Sequence, residues 1–349
     1  MNTPHLAGFK TRLKNYGCVS ITLPPFQRRY CLTRDQLETH QTLIYFAAVL
    51  AATVFGLLSS TAARHLEALA TPAIAVLMYA MFLQIPFLSL REGLSNRRFM
   101  AALLLANFIL VPLLVAAITR GLVHHPALLV GALLVLLTPC IDYVVVFTHL
   151  GKGDARLTLA ATPVLLFLQL VLLPVYLAVL LGDSAQIDLA IRPFLQAFLL
   201  LIALPLGLAV LTSASVKRSR AVAAWNDAWA WMPVPAMALV LFVVIAPQIS
   251  VVLRDLGQLL PVVPVYLAFA VLAPLIGWAT ARLMRLPVPQ QRSMMFSAST
   301  RNSLVVLPLA LALPEPLRTL AAAAVITQTL VELVCELIYV RAIPRLTRT

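Results

Sequence analysis

The chain contains 349 residues, of which 61% are hydrophobic and only 11% are charged, and its formal net charge is +13. A soluble protein of this size would have about 25% charged residues, so the composition excludes an ordinary soluble domain. The basic residues lie between long apolar stretches, so membrane topology explains the positive charge better than binding to nucleic acid does.

Apolar stretches of about twenty residues recur along nearly the whole length, which is the pattern of helices that span a bilayer. The basic tail 1–41 has no spanning run, and we expect it to be a disordered cytoplasmic segment; the alternative is that its apolar residues rest on the membrane surface. The membrane-spanning domain is predicted at 42–343, with a cytoplasmic tail at 344–349. Ten spanning segments are predicted, at 42–60, 71–90, 99–119, 126–150, 157–181, 191–212, 231–250, 259–281, 293–313 and 317–340.

The distribution of Lys and Arg predicts the orientation of these segments. Of the 26 basic residues, 20 fall on the side of the N-terminus and five on the opposite side, while Arg301 lies within a span. Loops that carry more Lys and Arg stay in the cytoplasm. The sequence therefore predicts a multi-pass protein of the inner membrane with both termini cytoplasmic.

Ten segments divide into two sets of five, and an odd number in each half gives the halves opposite orientations. The fourth member of each half, at 126–150 and 293–313, has a polar interruption. Corresponding breaks in two halves are typical of inverted-repeat transporters, whose binding site lies where the broken helices meet. We predict an all-α integral membrane fold of two inverted five-helix repeats with discontinuous helices 4 and 9.

The break in segment 4 is predicted at Pro139, between Thr138 and Cys140. Proline has no N–H to donate and disfavours helix at the residue before it. Asp142 follows two residues later. A charged side chain near the bilayer centre costs about 2.5–3.5 kcal/mol on insertion scales, so its presence indicates a function.

The break in segment 9 has no proline but contains Ser299, Thr300, Arg301, Asn302 and Ser303. Their short polar side chains compete for backbone hydrogen bonds and so weaken the helix. Arg301 is the second charge at membrane depth. We consider two roles for it with Asp142: a static ion pair that pins the breaks together, or proton exchange at Asp142 with substrate binding at Arg301.

Segment 10 has Gln328, Glu332 and Glu336 at a spacing of four, which places them on one helical face. Two carboxylates buried on one face suit a proton-coupled cycle, and Glu332 is the stronger candidate. Glu336 is alternatively solvated at the cytoplasmic end or paired with Arg341. Cys335 lies on the same face and is interpreted as a small apolar side chain.

Other polar side chains in the spans are candidates for a polar path beside the breaks: Asn107, Thr162 and Gln169. Such groups also simply join membrane helices. The four cysteines form no metal or disulfide framework, and we expect no cofactor or metal. There is no glycine-rich phosphate loop, no His/Glu metal motif and no GxSxG, so no enzyme activity is predicted.

The pattern of spans and breaks resembles that of a known family. Ten spans with breaks in the fourth and ninth are similar to the bile acid:sodium symporter superfamily. The stretch LLTPCIDYVVVFTHLGKGDARLTL at 136–159 resembles its arsenite-permease branch, in which Pro-Cys is followed by a Lys-Gly-Asp loop. FSASTRNSLVVLPLALAL at 296–313 resembles the ninth span of bacterial relatives associated with arsenic resistance.

The resemblance implies a core of helices 3–5 and 8–10 that moves against a panel of helices 1, 2, 6 and 7. It also implies that Cys140 contacts arsenite and that Glu332 matches an acidic residue of the tenth span. Trivalent arsenic is soft, and soft ions favour thiolate ligands.

The chain departs from sodium-coupled members at Arg301, where those members have an acidic cation ligand. A guanidinium there repels sodium and can supply its charge, so we predict coupling to protons. The sequence favours arsenite efflux by proton antiport, with membrane lipid and a metalloid or small-molecule substrate as partners. The alternatives are an organic-anion transporter of the same fold and a membrane sensor that does not transport.

Overall fold

The described part of the chain is mostly helical, and several of its helices are longer than twenty residues. The computed structural model describes residues 19–21, 30–32, 34–84, 96–141, 143–181, 199–254, 256–314 and 317–347. Strands β1 (Val19–Ile21) and β2 (Tyr30–Leu32) pair antiparallel within the tail that we expected to be disordered. Both contain β-branched or aromatic residues that favour strands.

The first half of the chain contains helices on both sides of the break in segment 4. A π-helical turn at Ala106–Leu110 connects α4 to α5, and a 3₁₀ turn at Thr119–Leu122 follows α5. The helices are α1 (Arg34–Leu58), α2 (Ser60–His65), α3 (Glu67–Gln84), α4 (Arg97–Leu105), α5 (Val111–Ile118), α6 (Pro126–Leu136), α7 (Val144–Leu150) and α8 (Ala155–Leu181).

The second half of the chain has a comparable order of helices. A π-helical turn at Leu199–Ala203 precedes α9, and a 3₁₀ turn at Leu260–Val262 precedes α13. The helices are α9 (Leu204–Ser215), α10 (Arg220–Trp229), α11 (Pro233–Arg254), α12 (Leu256–Leu259), α13 (Val263–Leu283), α14 (Val288–Ser299), α15 (Ser303–Leu311) and α16 (Leu317–Leu346).

Each predicted segment contains helix, but the helices differ in length. Within the described ranges, 4 helices are long and apolar enough to cross a membrane, or 5 if α10 and α11, bent by 49°, count as one span. Segments 126–150 and 293–313 fall short because each is divided into two helices by its break. Membrane-spanning helices are therefore present, and the ten-span inverted layout remains a prediction.

The helices pack in two groups. In one, α11 packs against α1 and α3, and α3 packs against α9. In the other, α16 packs against α6 and α15, and α13 packs against α14. This second group contains both broken segments, so the breaks lie among packed helices, where other protein groups can satisfy their backbone.

Large apolar side chains also cover the outside of the molecule. Phe167 on α8 is 66% exposed and Leu283 on α13 is 75% exposed. Water-soluble proteins seldom expose extended apolar surface, whereas a bilayer accommodates it. The surface therefore agrees with a protein embedded in lipid.

Candidate functional site

The two breaks cross each other inside the second group of helices. Cys140 N donates to Thr300 O at 3.0 Å, and Asn302 N donates to Thr138 O at 2.8 Å. These bonds form a short antiparallel bridge between the two irregular segments. Each unwound segment thus provides backbone hydrogen-bond partners for the other. A break at membrane depth requires such partners, because lipid cannot provide them.

Hydroxyl side chains complete the helix ends at the crossing. Thr138 Oγ1 donates to Leu134 O at 2.9 Å at the end of α6, and Ser299 Oγ donates to Met295 O at 2.9 Å at the end of α14. Both hydroxyls bond back to carbonyls of their own helices, as Ser and Thr side chains do near a helix end.

Arg301 is fully buried at the centre of the crossing. Its Nη2 lies 2.8 Å from Asn107 Oδ1, 2.8 Å from Ser297 O and 2.6 Å from Ala298 O. Its Nη1 reaches Leu136 O at the longer distance of 3.5 Å. The guanidinium therefore lies between the C-terminal ends of α6 and α14.

The position of this cation has an electrostatic reason. The carbonyls at a helix C-terminus carry a partial negative charge, so two C-termini that meet attract a positive group. The guanidinium carbon of Arg301 also lies 5.4 Å from the centre of the Phe269 ring, within the range of a cation–π contact. A buried cation is thus stabilised by helix ends and an aromatic face.

Glu332 on α16 is the carboxylate nearest the backbone of the crossing. It accepts hydrogen bonds from Arg301 N at 2.9 Å, from Tyr143 OH at 2.7 Å and from Gln328 Nε2 at 2.5 Å. The Tyr143 hydroxyl is also 3.0 Å from Arg301 O. Glu332 therefore connects α16 to both breaks.

Glu336 lies one helical turn further along α16 and is fully buried. Its Oε1 accepts a hydrogen bond from Thr300 Oγ1 at 2.6 Å. Its Oε2 has no partner among the described residues. The alternative that Glu336 is solvated at the cytoplasmic end is therefore wrong, and both carboxylates of α16 belong to the crossing.

Cys140 is fully buried beside the backbone bridge and forms no disulfide. Its neighbours form an apolar cluster with Val144 and Phe147 of α7 and with Met295 and Phe296 of α14. The thiol therefore lies in apolar surroundings close to the crossing.

The remaining predicted side chains differ in how closely they approach the crossing. Asn302 Oδ1 accepts from Val305 N at 3.2 Å and caps the start of α15. Ser303 Oγ and both polar atoms of Gln169 are buried without a hydrogen-bond partner in the described part of the chain. Thr162 Oγ1 donates to Leu159 O of its own helix at 2.8 Å. Asp142 lies outside the described residues.

Tyr143 is a residue of the site that sequence reasoning missed. Its hydroxyl contacts Glu332 and the Arg301 carbonyl, so it joins the break of segment 4 to the break of segment 9. Its position could have predicted this role. A tyrosine directly after a break at membrane depth is expected to be buried, and a buried tyrosine hydroxyl needs a hydrogen-bond partner.

A model of the sodium bile acid symporter family matches residues 71–255, which include the break at Pro139 and Cys140. The chain belongs to the sodium bile acid symporter family.

Family members are transporters, so the symporter-family assignment supports a multi-pass membrane protein with a small-molecule substrate. The match ends before Arg301, so the second break and the carboxylates of α16 lie outside the matched residues. No curated protein matches the chain.

Proposed function

We propose that this symporter-family protein exports arsenite from the cytoplasm in exchange for protons, without a sodium requirement. The observation that carries the proposal is the meeting of a thiol, a cation and two buried carboxylates at one helix crossing. Cys140 and Thr300 share a backbone hydrogen bond, while Glu332 and Glu336 accept hydrogen bonds from the same segment.

Arg301 supports independence from sodium. In transporters with broken helices, the C-terminal ends of half-helices and unwound carbonyls bind the coupling cation. Here the guanidinium makes its three shortest bonds, of 2.6–2.8 Å, to such carbonyls and to Asn107. The positive charge of Arg301 at this position repels a second cation, so sodium binding there is unfavourable.

Glu332 and Glu336 are the proposed proton carriers. Both are at membrane depth in contact with the backbone of the crossing, so a change in their charge alters the bonds that hold the breaks together. Asp142 is a further proposed proton carrier, because it follows the first break directly. Proton uptake from one side and release to the other then accompanies the movement of substrate.

The proposed movement is that of a core against a panel. The core comprises predicted spanning segments 3–5 and 8–10, which correspond to α4–α8 and α13–α16. The panel comprises predicted spanning segments 1, 2, 6 and 7. The division is supported by the packing of α11 with α1 and α3 and of α16 with α6. The protein is proposed to lie in the inner membrane with both termini in the cytoplasm.

An organic anion is the second candidate substrate. A largely apolar crevice of about 380 Å³ lies between α1 and α11 on one side and α15 and α16 on the other. Mostly apolar walls with a few polar groups are typical of sites that bind small organic ligands. Ser303 lines the crevice and has a buried hydroxyl without a partner among the described residues.

The test is arsenite accumulation in everted membrane vesicles under an imposed proton gradient, in the absence of sodium. Wild-type protein is expected to accumulate arsenite, Cys140→Ser is expected to lose accumulation, and Cys31→Ser, in the N-terminal hairpin, is expected to retain it. If well-folded wild-type protein moves no arsenite but moves a sulfonated or carboxylated amphiphile, the organic-anion function replaces the arsenite function.

A further inference from the structure

Helix α10 precedes α11 and is bent away from it by 49°. α11 has 22 residues, which extend about 33 Å at about 1.5 Å per residue. That length crosses a hydrocarbon core of about 30 Å without help from α10. α10 is therefore not needed to complete a span, and the character of its surface indicates another role.

The surface of α10 divides into three strips, because successive residues are rotated by about 100° around a helix. The half-buried strip, on a helix that packs against α3 and α9, consists of Val222, Ala223, Asn226 and Trp229. The exposed apolar strip consists of Ala221, Ala224, Trp225 and Ala228. Arg220 and Asp227 are exposed beside it and form a charged strip. Helices that lie in the plane of a membrane surface have this division.

Trp225 connects the apolar strip to the rest of the protein. Its indole Nε1 donates to Tyr79 OH of α3 at 3.1 Å, although the side chain is 52% exposed. The Tyr79 hydroxyl also lies 3.0 Å from Thr212 Oγ1 of α9, and the Tyr79 ring packs edge to face on Trp229 at 4.9 Å. A tryptophan with one polar contact and an exposed ring is typical of the boundary between lipid and water. α10 is thus fixed to α3 and α9 at the expected level of the headgroups.

Three basic side chains lie at the start of α10. Lys217 and Arg218 are exposed in the turn before the helix, and Arg220 is exposed in its first turn. Asp227 is the only acidic residue between positions 213 and 232, and it lies about two helical turns from Arg220. The surface is therefore positive where phosphate groups of lipids are expected, and arginine binds phosphate through two parallel hydrogen bonds.

The neighbouring surface of α9 favours lipid over a protein as the partner of α10. α9 exposes Leu204, Leu208 and Leu211, at a spacing that places them on one face of the helix. Since α9 packs against α10, apolar surface is exposed on both helices of the pair. Lipid covers the outside of a membrane helix in any case, so the same lipid layer accounts for the apolar strip of α10.

We infer that α10 is an interfacial helix that binds anionic phospholipids of the cytoplasmic leaflet. Its apolar strip contacts the acyl chains, while Lys217, Arg218 and Arg220 bind the phosphate groups. The inference uses the predicted cytoplasmic position of the turn before α10, but it is independent of the cargo and of the coupling ion. Through Tyr79 and Thr212, the bound lipid anchors the first group of helices at the membrane surface.

The test measures which phospholipids lie next to α10 in the full-length protein. Trp278→Phe leaves three tryptophans, at 225, 229 and 231, so its fluorescence reports on α10 and the turn after it. This protein is placed in vesicles of phosphatidylcholine and phosphatidylglycerol in equal amounts, with bromine on the acyl chains of either one lipid or the other. Bromine quenches a nearby indole, so the two quenching values give the relative affinity of the surface for the anionic lipid.

The surface is expected to prefer phosphatidylglycerol by about fivefold or more, since each basic residue near an anionic surface contributes about that factor. The triple variant Lys217→Gln, Arg218→Gln and Arg220→Gln should lose this preference. A matched triple variant removes three exposed basic residues of α13, α16 and their ends, and it should keep the preference: Arg285→Gln, Arg341→Gln and Arg345→Gln.

Four results would overturn the inference. Equal quenching by both brominated lipids, with the basic residues of α10 intact, would show that the surface does not select anionic lipid. No quenching by either lipid would show that a protein partner or another segment of the chain covers the strip. A preference that persists in a folded Lys217, Arg218 and Arg220 variant would exclude these side chains as the phosphate ligands. Loss of the preference in the matched variant would assign it to net charge.

Discussion

A guanidinium buried at membrane depth is stable only when the protein replaces the water that it loses. Arg301 does this in part: its Nη2 contacts oxygens of Asn107, Ser297 and Ala298, while its Nε has no hydrogen-bond partner among the described residues. Its backbone N–H binds Glu332. Arg301 and Glu332 therefore share one compact network, in which the cation faces helix ends and the carboxylate faces the backbone.

Removal of the guanidinium should make the protein responsive to sodium. Arg301→Ala leaves the carbonyls at the ends of α6 and α14 without a cation, at a cost of about 1–3 kcal/mol for each buried acceptor left unsatisfied. We expect a lower melting temperature in choline chloride that rises when sodium chloride replaces it. Wild-type protein should melt at the same temperature in both salts.

Thermal unfolding in detergent measures this effect. Arg301→Lys is the matched control, because it keeps the charge but loses the planar fork that reaches several oxygens at once. It should be destabilised without becoming sodium-dependent. A specific stabilisation of wild-type protein by sodium would contradict the view that Arg301 occupies the place of the coupling cation.

Neutralising Glu332 should separate substrate binding from proton coupling. Glu332→Gln keeps the size of the side chain and one oxygen for Tyr143 or the Arg301 N–H, but it cannot exchange a proton. We expect arsenite accumulation driven by a proton gradient to be abolished in proteoliposomes, while exchange of labelled for unlabelled arsenite continues. Undiminished gradient-driven accumulation by Glu332→Gln would exclude it as the proton carrier.

At the element scale, the crossing depends on close approach between helices. An added Cβ at Gly131 on α6 would lie 2.6 Å from Ala321 O of α16, and one at Gly277 on α13 would lie 2.4 Å from Met294 O of α14. Backbone atoms cannot move aside as a flexible side chain can. These two glycines therefore set the spacing at which both half-helices reach the crossing.

Alanine at these glycines should force the helices apart. Gly131→Ala and Gly277→Ala are each expected to destabilise the protein by about 1–3 kcal/mol, as overpacking does, and to lower transport because the crossing shifts. Gly207→Ala on α9 is the control, since nothing lies within 4 Å of its added Cβ. Melting temperatures in detergent compare the three, and equal values for all would refute the argument.

At the scale of the whole molecule, the two helix groups meet along the crevice that Val49 of α1 and Leu330 of α16 both line. Packing within a group is more extensive than packing between the groups. Within the first group, α1 and α11 pack along much of their length, whereas α11 contacts α16 of the second group over a smaller region. A transporter that alternates its access needs such an unequal division, since one group must move against the other.

A covalent link across the crevice should stop this motion. In the double variant Val49→Cys with Leu330→Cys, a short bis-maleimide is expected to abolish transport. The same reagent on Phe55→Cys with Phe242→Cys, whose native rings are 5.6 Å apart within one group, should leave transport intact. The four single variants control for links to native cysteines, and full transport by the first cross-linked pair would argue against the proposed motion.

Much of the architecture followed from the sequence because membrane insertion imposes simple local rules. The apolar runs specified where helices form, Pro139 specified the first break, and the hydroxyl residues around Arg301 specified the second. The sequence also placed Glu332 and Glu336 on one face of a helix, since a spacing of four needs no knowledge of neighbours. Helix positions, helix breaks and the face of a helix all depend on residues close together in the chain.

The tertiary structure decided which groups meet. The partners of Arg301 in the described residues are mostly carbonyl oxygens, which every residue has, so no sequence pattern distinguishes Ser297 and Ala298 as its ligands. Tyr143 reaches Glu332 across 189 positions of the chain, and Cys335 lines a pocket to which four helices contribute residues. Periodicity defines a face of one helix, but only packing determines what lies opposite that face.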